Sequence, residues 1–367
     1  MALNFFECLA EKAMKIPFNF YDDNFDAELS QPSRRIRVEV FLTKILRLAR
    51  KFVTSRDSGV FLSLSNSEAW NYYLEHFKSF QKTFDILSDN ESKLKLIELL
   101  LYRAYGPLRV KLSLNTESYW HGREKVSECV LPGKIPMRNF RSDLSLYDLT
   151  PYGFDLRLYF VDNGIYVDFV LQQYNYNNLV CVEEGDIVID AGACWGDTAL
   201  YFSSRGAKAV YSFEFIPSNL SVFERNIAMN PHFKDRIHIV KRPVWSESNI
   251  PLSYVDRGPA SQVAEAGVYQ GNTRTLSIDD FVSAEGLKSV DFIKMDIEGA
   301  ELPALMGASR TVREFKPKLA IAVYHKDDDM ITIPEYLRSL NPSYDFYLDY
   351  YTIVGHEIML YAIDRSK

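Results

Sequence analysis

The residues best suited to hold a nucleoside-type ligand run Asp190-Ala191-Gly192-Ala193-Cys194-Trp195-Gly196-Asp197-Thr198, directly after the apolar stretch that starts at Ile187. Glycine at 192 lets the backbone turn sharply and approach a ligand, and glycine at 196 permits close packing of a following helix. A dinucleotide fingerprint needs another glycine two places after the first, where the chain touches the pyrophosphate. Cys194 stands there instead, so a nucleoside without a pyrophosphate fits better. Asp190 could accept a hydrogen bond from water or from the ammonium of S-adenosylmethionine, whereas it would repel a phosphate. Glu214, 24 residues later and beside Phe215, sits where an acid can accept both ribose hydroxyls, a spacing that suits NAD as well as S-adenosylmethionine. Capping the turn and ending a strand in solvent are simpler roles for Asp190 and Glu214. The pair together with the glycines favours a ligand site. In Pro243-Val244-Trp245, Val244 and Trp245 offer an apolar cover for adenine, although Trp195 and Trp245 would serve equally well as core aromatics.

A second set could handle protons. Asp296 and Glu298 are carboxylates one residue apart, and His325 has the pKa range of a general base near neutrality. The two acids could orient an acceptor, act as base, or share a divalent cation with an acid of Asp327-Asp328-Asp329. That run reads better as a solvated loop, and no metal is assigned. Glu301 reads as a structural carboxylate at a helix start, and Lys294, on the same strand face as Asp296, as its ion-pair partner.

These groups need elements to position them. Short apolar strands alternate with amphipathic helices: Ile187–Ala191 then Asp197–Arg205, Ala209–Phe215 then Ser218–Asn230, Ile237–Val240, Asp291–Asp296 then a helix from about Glu301, and Leu319–Val323 then Ile331–Leu340. This is the pattern of a doubly wound parallel sheet, whose ligand crevice lies beyond the carboxyl ends of the strands. Asp296 and His325 both fall at that end. Two last strands, about Asp345–Tyr350 and Glu357–Ile363, are close enough that they must pair antiparallel. Upstream, Asp155–Phe169 alternates about Asp162-Asn163-Gly164 and predicts a hairpin. Residues 108–114 also alternate, as a strand would. The front is mainly helical, with a basic amphipathic helix over 36–53, a Ser67-capped helix over Glu68–Leu87, and a third from Ser92 to Tyr105 that stops at Gly106-Pro107. We expect two domains, 1–145 and 146–367.

The chain has 367 residues, 47% hydrophobic and 25% charged, with a formal net charge of -7. Residues 1–145 hold 22 Lys and Arg against 18 Asp and Glu, and the remainder 20 against 31. An acidic catalytic half argues against a nucleic-acid substrate, whose phosphates call for a basic footprint. The basic front leaves room for a partner or a second copy docked on residues 1–145. No signal peptide is expected, and no uncharged apolar run approaches the ~20 residues of a membrane span. The four cysteines are too scattered for a disulfide framework or a zinc site, so a reducing cytoplasm is expected.

From about Tyr147 to Ile363 the chain resembles the FkbM family of methyltransferases. Asp190 to Thr198 is similar to the family's first motif, Phe213 to Asn219 to its second, and Asp291-Phe-Ile-Lys-Met-Asp-Ile-Glu-Gly-Ala-Glu301 to its most diagnostic segment. Tyr324-His325-Lys326 fits one branch. The resemblance implies a Rossmann-like methyltransferase sheet with an antiparallel last strand and S-adenosyl-L-methionine as methyl donor. It also implies O-methylation of a hydroxyl on a sugar, polysaccharide or secondary metabolite. Methyl transfer to an alcohol needs alignment of two atoms and removal of one proton, the role expected of His325 with Asp296 and Glu298. The chain departs from that branch at Asp349-Tyr350-Tyr351, where a His is expected, a difference that bears on the acceptor. Rival readings are an NAD-dependent oxidoreductase or epimerase, and a non-catalytic module that keeps the fold as a scaffold.

Overall fold

The computed structural model describes residues 3–16, 67–107, 109–137, 140, 142–265, 267–269 and 271–366. The amphipathic helix expected over 36–53 lies outside them. The chain forms two compact units, Met1–Trp120 with Leu348–Ile358, and His121–Tyr347 with Met359–Lys367. The pattern-based division near residue 145 therefore falls inside the second unit.

Among its described residues the first unit is helical, with helices Phe5–Met14, Ser67–Glu75, Phe77–Ile86 and Asn90–Tyr105. The single helix expected over 68–87 is broken at His76, whose ψ of 15 leaves the helical basin. Its ring stacks on Tyr72 at 4.2 Å, and Nδ1 lies 2.9 Å from the Tyr72 carbonyl oxygen, which also accepts from the His76 amide. Asp89 caps Asn90–Tyr105 by accepting from the Ser92 amide at 2.7 Å, and Gly106 with φ 79 ends it. Phe5, Phe84, Leu96 and Ile97 are buried in its core, with Phe5 edge-on to Phe84 at 5.3 Å. No strand forms among the described residues from 109 to 116. The amides of Arg109 and Val110 curl back to the Gly106 carbonyl, so the apolar alternation reports the burial of Val110 and Leu112 rather than strand pairing. The distant segment Leu348–Ile358 is fastened into this unit: the Leu348 amide donates to Ser92 Oγ at 2.9 Å and the Tyr350 hydroxyl to Glu98 at 2.7 Å.

The second unit opens with a small antiparallel sheet of β1 (Val130–Ile135), β2 (Leu144–Asp148) and β3 (Arg157–Phe160). Here the hairpin expectation fails. Only its first arm is a strand, β3, and that pairs with β2; the second arm is a helical turn Asp162–Gly164 running into a π-helical segment Ile165–Val170. Gly164 has a helical φ of -63, and a Cβ there would overlap the Phe160 ring. This glycine serves close packing rather than a positive-φ turn.

The main sheet uses β4 (Ile187–Ala191), β5 (Ala209–Phe213), β6 (Ile237–Val240), β10 (Phe292–Met295), β11 (Lys318–Ala322), β12 (Tyr344–Tyr350) and β13 (Ile358–Asp364) in the order β12-β13-β11-β10-β4-β5-β6. The pairs from β11 through β10, β4 and β5 to β6 are parallel, and β13 runs antiparallel to β11. The alternating strands and helices read from the sequence are thus present. Their apolar runs reflect burial on both faces, as in β10, where all four side chains are buried. An unanticipated three-stranded sheet, β8-β7-β9, spans β7 (Pro251–Val255), β8 (Gln262–Glu265) and β9 (Gly271–Arg274). Polar strands such as Gly271-Asn-Thr-Arg274 carry too little apolar alternation to be read as strands. No helix among the described residues is long and apolar enough to cross a membrane.

Candidate active site

β4, β10 and β11 lie side by side, with Ala191 opposite Met295 and Met295 opposite Ile321. Their carboxyl ends therefore deliver the glycine turn, Asp296 and His325 to one edge of the sheet. The turn alternates left-handed residues: Gly192 has φ 85, Cys194 φ 45 and Gly196 φ 82. A Cβ at Gly192 would overlap the Asp296 carbonyl oxygen and crowd Ile297, so this glycine makes room for the loop after β10. At Gly196 a Cβ would overlap the Phe223 ring on helix Pro217–Met229. Ala193 is fully buried, and Trp195 is a core residue packed edge-on against Phe140 and Phe160. Burial pushes the Cys194 thiol up.

Asp190 is fully buried, with its Oδ2 accepting from the Thr198 hydroxyl at 2.8 Å and the Ser212 hydroxyl at 3.2 Å. Its Oδ1 lies 3.4 Å from Lys294 Nζ. Lys294 thus pairs with Asp190 rather than with Asp296, because the parallel register sets the two directly opposite each other. The ammonium also donates to the carbonyls of Gly192 at 2.6 Å and Ala191 at 3.2 Å, locking the turn. Burial works to lower the Lys294 pKa, but Asp190, Asp296 and Asp197 outweigh it and hold the lysine charged. Asp197, at the start of helix Asp197–Ser204, is buried, and burial raises its carboxyl well above the usual range against the pull of Lys294.

Glu214 closes the other side of the turn and is 6% exposed. Its Oε1 accepts from the amides of Phe215 at 2.6 Å and Ile216 at 2.7 Å, and its Oε2 from Asn219 at 3.1 Å. A carboxylate offers about four acceptor positions, so about one remains for a ribose hydroxyl, not the two expected. Burial drives its pKa up to about 7 despite these donors. Phe215 meets Tyr254 of β7 edge-on at 5.4 Å, Val244 is buried and bridged to Leu276, and Trp245 is half-buried with its amide donating to the Leu276 carbonyl.

Beyond β10 and β11 the acids converge on one imidazole. His325 Nδ1 lies 2.9 Å from Glu301 Oε1, and Nε2 lies 3.5 Å from Asp296 Oδ1 and 4.0 Å from Glu298 Oε2. The Tyr324 hydroxyl donates to Asp296 at 3.4 Å. The turn that folds Glu301 back uses Glu298 with φ 55 and Gly299 with φ 92, and Glu301 Oε1 accepts from the Ile297 amide at 2.8 Å. Burial opposes protonation of His325, but Glu301, Asp296 and Glu298 overcome it and push its pKa up to about 10. Protonated at neutral pH, the ring has no lone pair to receive a proton. Glu298 is the most open acid of the group, its side chain 35% exposed. Burial, with Asp296 and Glu301 and against His325, sets its pKa at about 7. The structure therefore unites Asp296, Glu298 and His325 and adds Glu301, which the sequence pattern classed as a helix-end carboxylate. Only its position within the Asp296–Glu301 segment hinted at more. Asp168 is also near the turn in effect, acting on Lys294, and nothing in the sequence marked it.

Residues 190–347 match the family profile described as Methyltransferase FkbM domain. A methyltransferase FkbM from Methylobacillus flagellatus KT shares 21% identity over 80% of this chain and 60% of its own, with a TM-score of 0.51; this chain thus spans less than two thirds of that protein. Fibrillarin of Aeropyrum pernix, in complex with S-adenosyl-L-methionine, shares 14% identity over 53% of this chain and 74% of its own, TM-score 0.32. M. capricolum TrmK, in complex with S-adenosyl-homocysteine, shares 13% over 54% and 69%, TM-score 0.35. No curated protein matches the chain.

Proposed function

Because residues 190–347 match the FkbM methyltransferase profile, we propose that the protein is an S-adenosylmethionine-dependent O-methyltransferase acting on a hydroxyl of a sugar, polysaccharide or secondary metabolite. The cofactor, when bound, supplies an electrophilic methyl group on a sulfonium. In the turn that would hold it, Asp197 Oδ1 is buried without a hydrogen-bond partner among the described residues and Glu214 keeps an acceptor position, while Asp190 Oδ1 is paired with Lys294 at 3.4 Å. Carboxylates on both sides of the turn favour an ammonium and a ribose over the phosphates of NAD. Cys194 at the place of the fingerprint's second glycine supports the same choice.

The observation that carries the reading is the group Asp296, Glu298 and His325 at the carboxyl ends of β10 and β11, next to that turn. Its residues orient an alcohol and accept its proton. Glu298, partly open and poised near neutrality, is the proton acceptor in our reading, while Asp296 and His325 position the hydroxyl. This takes the base role from His325, which its carboxylate neighbours keep protonated. The test is a thermal-shift titration with S-adenosylhomocysteine against NAD, followed by methyl-transfer assays over a panel of glycans and hydroxylated metabolites. Stabilisation by S-adenosylhomocysteine with methylation of one acceptor is expected. Stabilisation by NAD alone would favour the oxidoreductase reading, and binding without turnover on any acceptor the non-catalytic one.

A further inference from the structure

We propose that Asp296, Glu301 and His325 form a binding site for one divalent transition-metal cation, of the Mn2+ or Zn2+ type. One ligand atom from each residue lies within 4.8 Å of the other two, the three coming from the end of β10, the start of helix Glu301–Met306 and the segment after β11. A cluster of acids alone would be ordinary. Here the deepest group is also unsatisfied: Glu301 is fully buried and its Oε2 finds no hydrogen-bond partner among the described residues, while its Oε1 faces His325 Nδ1 at 2.9 Å and His325 Nε2 reaches Asp296 at 3.5 Å. Buried polar atoms in native proteins are nearly always paired, so this set lacks a partner that a cation would supply.

Charge and ligand type point the same way. Three carboxylates, Asp296, Glu298 and Glu301, surround a single imidazole, and the nearby Lys294 is committed to Asp190 and two backbone carbonyls. A divalent ion, bound through a deprotonated ring nitrogen of His325, balances two of those charges. Two carboxylates and one imidazole suit Mn2+ or Zn2+, while Mg2+ and Ca2+ prefer oxygen alone. The ligands are held from behind, Glu301 by the Ile297 amide and Asp296 by the Tyr324 hydroxyl, the usual support for a metal site. Three protein ligands leave coordination positions for an outside oxygen.

The site stands on these side chains; its role in catalysis rests on the methyltransferase reading. In that role the cation draws the acceptor hydroxyl to the strand ends and favours loss of its proton to Glu298. The oxygen then takes the methyl group as the carbon–sulfur bond breaks, leaving a methyl ether, S-adenosylhomocysteine and protonated Glu298. The test is Mn2+ binding to the chelator-stripped full chain, read by electron paramagnetic resonance and repeated with Zn2+ by calorimetry. One ion per chain is expected, with at least tenfold weaker binding in Glu301→Gln and in His325→Ala. Glu224→Gln, at an exposed ion pair, should leave it unchanged. Circular dichroism and S-adenosylhomocysteine binding check that each variant is folded. Failure of the wild-type chain to bind either ion, or wild-type affinity in folded variants, overturns the site. Full methyl transfer by ion-free enzyme overturns its catalytic role and leaves the function standing; Mn2+ binding without S-adenosylhomocysteine binding supports the site and counts against the function.

Discussion

A Cβ at position 192 would overlap the Asp296 carbonyl oxygen and crowd Ile297, so the glycine turn and the loop after β10 are in close contact at this residue. Gly192→Ala should therefore cost on the order of 2–4 kcal/mol from steric overlap and a left-handed φ. The loss is measurable by chemical denaturation, and it should disturb the acceptor side as well as cofactor affinity; wild-type stability would show that the loop yields. Glu298→Gln keeps the shape but removes the proposed proton acceptor. It should lower kcat by about 10²–10⁴ while leaving S-adenosylhomocysteine affinity unchanged. Loss of cofactor affinity would instead place Glu298 on the other side of the site. Glu214 yields a prediction about pH. Its folded pKa of about 7 lies above the ordinary carboxyl value of 4.5, so between these values the folded chain binds more protons than the unfolded one. Stability from this group is greatest below the unfolded value and is lost as pH rises through about 7. Melting temperature should fall from pH 5.5 to 8, and Glu214→Gln should flatten that slope, removing on the order of 1–3 kcal/mol of pH dependence. An equally steep slope in the variant would assign it to other groups, among them His325 and Asp329, which act in the same direction.

At the scale of elements, helix Pro217–Met229 does more than cover the sheet. Asn226 accepts from the Tyr159 amide at 2.8 Å and donates to the carbonyls of Tyr159 at 3.1 Å and Trp195 at 2.9 Å. Asn230, four residues on, accepts from the Arg157 amide and donates to the Arg157 carbonyl. One helical turn rises about 5.4 Å and two strand residues span about 6.8 Å, so the pair occupies the edge of β3 much as a neighbouring strand would. Asn226→Ala should cost about 2–4 kcal/mol because it orphans three backbone groups, one buried and two part-buried on β3. A loss below about 1 kcal/mol would mean that water replaces the side chain. Such a fastening was not legible in the sequence, where Asn in a helix reads as neutral. The parallel strands were, because burial on both faces leaves unbroken apolar runs such as Ile187–Ala191. The Asn163-Gly164 hairpin was misread because the same dipeptide packs tightly in a helix beside Phe160. Asp296 and His325 followed from topology, since strand ends must face the crevice. Glu301 did not, because the reversal at Glu298 and Gly299 that folds it back leaves no periodic trace.

On the scale of the whole molecule, the acidic charge is concentrated in residues 146–367, while residues 1–145 carry a small basic excess. The first compact unit is discontinuous in sequence, because Leu348–Ile358 contributes Tyr350 and the Leu348 amide to the helices of Met1–Trp120. A chain shortened to begin at His121 should expose that segment and lose solubility. A monodisperse, S-adenosylhomocysteine-binding product on size-exclusion chromatography would show the second unit to be independent. Discontinuity also sets an order of events during synthesis. Domains encoded first ordinarily finish folding first, as they emerge from the ribosome. Here the earliest residues must wait for Ile358, which is translated roughly 10–50 s after Trp120 at ordinary elongation rates. The seven-stranded sheet, although encoded later, has most of its strands available before the N-terminal unit can close, so the nascent chain should acquire protease resistance from the middle outward.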